Sequence, residues 1–127
     1  MIGYVTLGVS DIERARGFYD ALLGTIGAKQ LMALEENGFT MYGVAWDKPC
    51  VVITKPYDGG LPSPGNGNMT GLVMDSREHV DALHAKALEL GGTCEGQPGI
   101  REPAEMGFYG AYFRDPDGNK LCAFKVG

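Results

Sequence analysis

Residues 4–23 read YVTLGVSDIERARGFYDALL, and residues 69–92 read MTGLVMDSREHVDALHAKALELGG. The two stretches share one plan. Tyr4 to Val9 alternates in the manner of a half-buried strand, and Met69 to Met74 has the same character 65 residues later. Each run leads into a capping box, Ser10-Asp11-Ile12-Glu13 and Asp75-Ser76-Arg77-Glu78, again 65 residues apart. In such a box a short side chain satisfies free amides of the first helical turn, while an acid three positions on reaches back.

Amphipathic helices are expected behind both boxes. Ile12, Ala15, Phe18, Tyr19, Leu22 and Leu23 make one face of the first; Val80, Leu83, His84, Ala87 and Leu88 make that of the second. Gly24 and Gly27 close the first and Gly91-Gly92 the second, since glycine accepts the left-handed conformation that ends a helix. The echo then continues, with MYGVAWDKPCVVITK (41–55) answered by FYGAYFRDPDGNKLCAFK (108–125). Tyr42-Gly43 matches Tyr109-Gly110, and each copy turns at an Asp/Pro sequence into a final strand.

The chain therefore reads as an α+β protein of two βαβββ modules, residues 1–57 and 69–127. The connector 58–68, DGGLPSPGNGN, has the Gly and Pro content of neither helix nor strand. Neither half alone would bury both faces of its sheet.

Composition narrows the partners. With 127 residues, 44% of them hydrophobic, the chain has apolar material for one ordinary domain. Its net charge is -5, from 11 basic and 16 acidic residues, and no Lys/Arg block builds the footprint nucleic acid requires. No apolar run approaches the roughly 20 residues that span a bilayer. Met1-Ile2-Gly3-Tyr4 also lacks the basic start of a secretion signal, so a cytoplasmic protein is expected. Cys50, Cys94 and Cys122 are odd in number, with no paired spacing for structural zinc, and reduced thiols are the default in that compartment.

The segments YVTLGVSDIERARGFYDALL, DSREHVDALHAKALELGG and GAYFRDPDGNK together resemble the glyoxalase / bleomycin resistance / extradiol dioxygenase group, the vicinal oxygen chelate superfamily. The resemblance covers nearly the whole chain, so residues 1–127 are expected to form a single domain of that kind. It implies paired βαβββ modules whose sheets form a cupped half-barrel, often in a homodimer. In the superfamily's enzymes a divalent metal held by His, Gln and Glu chelates adjacent substrate oxygens and stabilises an enolate-like charge.

Carried over by position, that ligand set fails. The first-strand ligand, commonly His, falls on Tyr4; its second-module counterpart falls on Met69. The glutamate that follows DPDGNK and one apolar residue falls on Cys122, and the fourth place lies among Val52, Ile53 and Thr54. Hard or borderline divalent cations need oxygen and imidazole ligands, so no metal or other cofactor is expected. Only a soft ion such as Cu(I) favours thioether and thiol.

Alternation sets Cys122 and Phe124 against Leu121 and Ala123, and Tyr4 and Thr6 against Val5, Leu7 and Val9. With the aliphatic sets on the helices, Tyr4, Thr6, Met69, Cys122 and Phe124 face the cup. Cys122 reads as a passive wall, because no neighbouring base lowers its pKa. His84 is expected packed and hydrogen-bonded, and His79 solvated. The stretch GQPGIREPAEMGFYG (96–110) reads as a long connector carrying Arg101, Glu102, Glu105 and Met106. Arg101 is evenly balanced between meeting an anion and being a solvated charge. Tyr109, aromatic with a polar tip, suits a pocket rim. Asp115 to Asn119 is turn chemistry.

Two readings of function follow. The first is a metal-independent binder of a small, partly apolar or aromatic molecule in the cup between the modules, using Tyr4, Thr6, Met69, Arg101, Tyr109, Cys122 and Phe124 and no catalytic residue. The alternative is a glyoxalase-like lyase or dioxygenase with a displaced metal or a metal-free site acting through Tyr4.

Overall fold

The computed structural model covers residues 1–127 and contains two compact units, Met1–Gly65 and Asn66–Gly127. The first holds β1 (Tyr4–Gly8), α1 (Ile12–Gly24), β2 (Lys29–Ala33), β3 (Thr40–Gly43) and β4 (Cys50–Thr54). The second holds β5 (Thr70–Val73), α2 (Arg77–Glu89), β6 (Thr93–Ile100), β7 (Phe108–Arg114) and β8 (Lys120–Val126), with a 3₁₀ turn at Ala104–Met106. Each unit is a βαβββ module, and their sheets run β1-β4-β3-β2 and β5-β8-β7-β6. In both, the strand before the helix pairs in parallel with the last strand of the module.

Both helices start one residue later than the capping boxes suggest. Asp11 Oδ1 accepts from the Arg14 amide at 3.1 Å, and Ser76 Oγ accepts from the His79 amide at 3.1 Å. The caps are thus the second residues of the two polar pairs, and Glu13 and Glu78 sit in the first turns, where an acid complements the helix dipole.

Side chains crossing from helix to sheet fix which face is covered. In the first module Arg16 Nε donates to Thr40 Oγ1 at 2.9 Å, and the Tyr42 hydroxyl donates to Asp20 Oδ1 at 2.7 Å. Thr40 and Tyr42 pair with Ile53 and Val51, which pair in turn with Leu7 and Val5, so these six line the α1 side. Tyr4, Thr6, Met41, Cys50 and Val52 alternate onto the opposite face. In the second module His84 and Phe113 meet edge to face at 6.5 Å, which puts Ala111, Phe113, Leu121 and Ala123 under α2, all of them fully buried.

One expectation fails here. Gly96 to Ile100 is strand, not connector, because β6 runs to Ile100. Its pairing with β7 slips between Cys94 and Gly96 and again between Gly96 and Gly99. Bulges and an edge position are what let a strand accept Gly and Pro98, and β6 is the sheet's outer strand.

Candidate functional site

The hairpin of β7 and β8 builds a surface that brings aromatic, cationic and thiol side chains together. Asp115 closes its turn: the carboxylate accepts from the Asp117 amide, the Asn119 amide and Asn119 Nδ2, each at 2.9 Å. That turn fixes a register in which Tyr112 stands opposite Cys122 and Gly110 opposite Phe124. On the face away from α2 the side chains are therefore Phe108, Tyr112 and Arg114 from β7, and Lys120, Cys122, Phe124 and Val126 from β8, with Arg114 ion-paired to Glu95 at 3.1 Å.

Phe108 and Phe124 lie parallel, 8° between planes and 5.2 Å between centroids. Gly110 makes room for them, since a Cβ there would come within 2.6 Å of the Phe108 ring. Next to this stack, two cations lie over the ring of Tyr112, Arg101 Cζ at 5.1 Å and Lys120 Nζ at 5.5 Å from its centroid. Arg101 reaches Tyr112 by folding back along β6, where its Nη2 donates to the Gln97 carbonyl. Glycines clear that path. A Cβ on Gly96 would lie 3.1 Å from Arg101 Nη2, and one on Gly99 would lie 3.2 Å from Nη1.

Cys122 forms the floor, 1% exposed. Burial pushes its thiol above the ordinary cysteine range; Arg101, the Ala111 backbone and Lys120 pull the other way with less effect. The thiol is protonated at neutral pH and weakly nucleophilic.

The corresponding face of the first module is filled. Val52 stands opposite Thr6 and Cys122 opposite Gly71, and residues 6 and 71 are 65 apart, so Val52 and Cys122 occupy the same place in their modules. Val52, Met41 and Cys50 form a buried apolar cluster, with Leu31, Met32 and Phe39 packed on it. Gly43 admits this packing, because a Cβ there would come 2.7 Å from the Cys50 sulfur.

The expected site residues divide accordingly. Cys122 and Phe124 lie on the open face of the second sheet together with Arg101, and Gly71 and Val73 of β5 extend that face. Met69 precedes β5 and is half-exposed. Tyr4 and Thr6 are exposed on the edge strand of the first sheet, and the Tyr4 ring meets Phe39 edge to face at 6.4 Å. Tyr109 is on the other side of its sheet from Cys122. Its hydroxyl donates to Asp81 Oδ1 at 2.6 Å and Arg77 lies over its ring, both partners belonging to α2. The Tyr-Gly repeat thus reports helix-to-sheet tethering, for Tyr42 grips α1 through Asp20 in the same way.

Tyr112, Phe108 and Lys120 share this face, beyond the residues that the sequence pattern picks out. Alternation carried the signal for Lys120, two positions before Cys122; Tyr112 needed the register of the hairpin.

A divalent metal of the kind the superfamily's enzymes use does not fit these residues. Its places hold phenol, thioether and thiol, and the fourth, Val52, is a fully buried isopropyl group. Nowhere does the fold group three or more His, Cys, Asp or Glu side chains in a way that would hold an ion.

Comparison with known proteins agrees with this architecture. Residues 1–123 match the family model described as Glyoxalase/Bleomycin resistance protein/Dioxygenase superfamily, and the chain belongs to that superfamily. A glyoxalase/bleomycin resistance protein from Albidiferax ferrireducens is similar in structure, with a TM-score of 0.86 and 40% identity over 98% of both chains. Glyoxalase I from Zea mays is similar at a TM-score of 0.76 and 28% identity; 97% of this chain matches 45% of the maize one. A glyoxalase/bleomycin resistance protein/dioxygenase family enzyme from Burkholderia phytofirmans shares the fold at 20% identity, with a TM-score of 0.78 over 98% of both chains. No curated protein matches the chain. No helix is long and apolar enough to cross a membrane.

Proposed function

We propose that this protein is a metal-independent member of its superfamily that binds a small, partly apolar or aromatic molecule on the open face of its second sheet. The observation that carries the reading is the parallel Phe108–Phe124 pair beside Tyr112, three aromatic rings on a face whose floor is a protonated thiol and not a metal ligand. Aromatic walls with a few polar groups are the usual lining of small-molecule sites. Membership in the glyoxalase/bleomycin resistance protein/dioxygenase superfamily accommodates this reading, and the likeness to maize glyoxalase I motivates the enzymatic alternative.

Metal analysis of the purified protein, followed by thermal denaturation with divalent ions and with aromatic small molecules, separates the two. The binder contains no stoichiometric metal, and its melting temperature rises with aromatic compounds. Tight, stoichiometric nickel, zinc, iron or manganese would sink this reading in favour of the lyase or dioxygenase.

A further inference from the structure

Arg101 and Lys120 both lie over the ring of Tyr112, at 5.1 and 5.5 Å from its centroid. The ion pairs of Arg16 with Glu13, Lys86 with Glu89 and Arg114 with Glu95 involve neither Arg101 nor Lys120. In a protein of net charge -5, two uncompensated cations on one patch are a local reversal of sign. Both act on Cys122, whose ionisation each of them favours, so their fields overlap at the floor of the site. Arg101 is also a positioned group: it is tied to the Gln97 carbonyl and lies in a channel that Gly96 and Gly99 leave open.

Resting on the binding function proposed above, we propose that the molecule recognised is an aromatic carboxylate. Its ring packs beside Phe108 and Phe124, and its carboxylate is held by Arg101 and Lys120 at the edge of Tyr112. A guanidinium presents donors in a planar fork that matches a carboxylate, and the ammonium adds a second charge from the neighbouring strand. A neutral ring of the same size would use the stack alone and leave both cations without a counter-charge.

The test is a titration of the ¹⁵N-labelled protein with 2-naphthoate and with its neutral isostere 2-naphthamide, at low and high salt, in the wild type and in Arg101→Met and Lys120→Met. Naphthoate is expected to perturb amides of β7 and β8 and to bind at least about tenfold more tightly than the amide, as a charge-assisted pair should. The preference shrinks at high salt. Each variant is expected to weaken naphthoate more than naphthamide, so that the preference between the two probes shrinks. Arg101→Gln, which keeps an amide donor and loses the charge, serves where Arg101→Met folds poorly.

Equal affinity for the two probes overturns the charge inference while leaving the aromatic binder intact. A preference that survives both Arg101→Met and Lys120→Met, or naphthoate shifts confined to other surfaces, also overturns it. Failure of both probes to perturb this face removes the binding function itself.

Discussion

Cys122 and His84 lie on opposite faces of the second sheet, and burial acts on both with opposite consequences for charge. The Cys122 thiol is pushed up in pKa, and its environment holds it neutral despite two cations nearby. Of the other two cysteines, Cys50 is buried and Cys94 exposed. Alkylation of the folded protein with iodoacetamide at neutral pH should therefore modify Cys94 alone at first, and Cys94→Ser should leave a chain that reacts only on unfolding. Mass mapping of the alkylated peptides reads this directly, and early label on Cys122 would contradict its assignment as an inert floor. His84 is 3% exposed and its Nε2 has no hydrogen-bond partner. Desolvation lowers its pKa, against smaller opposing effects from the Tyr112 backbone and Asp81. Below about pH 6.5, the ordinary histidine value, the unfolded chain takes the proton first. Stability is thus complete above that pH and falls as the pH drops toward the folded-state value, by up to about 1.4 kcal/mol per pH unit. Urea midpoints at pH 7.5 and pH 5.5 should differ less in His84→Leu than in the wild type.

At the scale of elements, the two tyrosine tethers make an internal comparison. Tyr42 is fully buried, and its phenol is pushed well above the ordinary range by desolvation first and by the Asp20 carboxylate second. Tyr109 makes the equivalent bond to Asp81 at the surface, where the partner raises its pKa but water competes for both groups. Tyr42→Phe should cost about 1.5–3 kcal/mol, the worth of a hydrogen bond to a charged group, and Tyr109→Phe, whose bond is exposed, distinctly less. Equilibrium unfolding of the two variants settles the order. The same pair marks where the sequence stopped being informative. Strand and helix positions, the 65-residue echo and the helical stripes were legible, because period and capping chemistry are local. The side taken by Tyr109 was not, because FYGAYFR is apolar in both phases and alternation alone cannot choose between them. Gly96 to Ile100 failed for a related reason: glycine and proline mark turns, and only the edge position of β6 makes them strand residues.

At the scale of the whole chain, the duplication has been put to two different uses. Equivalent positions hold Val52 in one module and Cys122 in the other, each almost entirely buried. Around Val52 the neighbours are hydrocarbon and thioether or thiol, and no cation is in the cluster. Around Cys122 two cations already favour negative charge. A carboxylate placed at the two sites should therefore meet opposite receptions. Val52→Glu forces the cluster to take in an unpaired acid, at about 3–5 kcal/mol, the scale for an uncompensated buried charge. Cys122→Glu also adds volume to a packed site, but its carboxylate has Arg101 and Lys120 to pair with, so the loss should be clearly smaller. Calorimetric melting at neutral pH compares the two variants, and lowering the pH should narrow the gap as protonation removes the charge that separates them. An equal or larger loss in Cys122→Glu would mean that packing, not charge, governs this face, and that the cations beside Tyr112 are not placed to receive an anion.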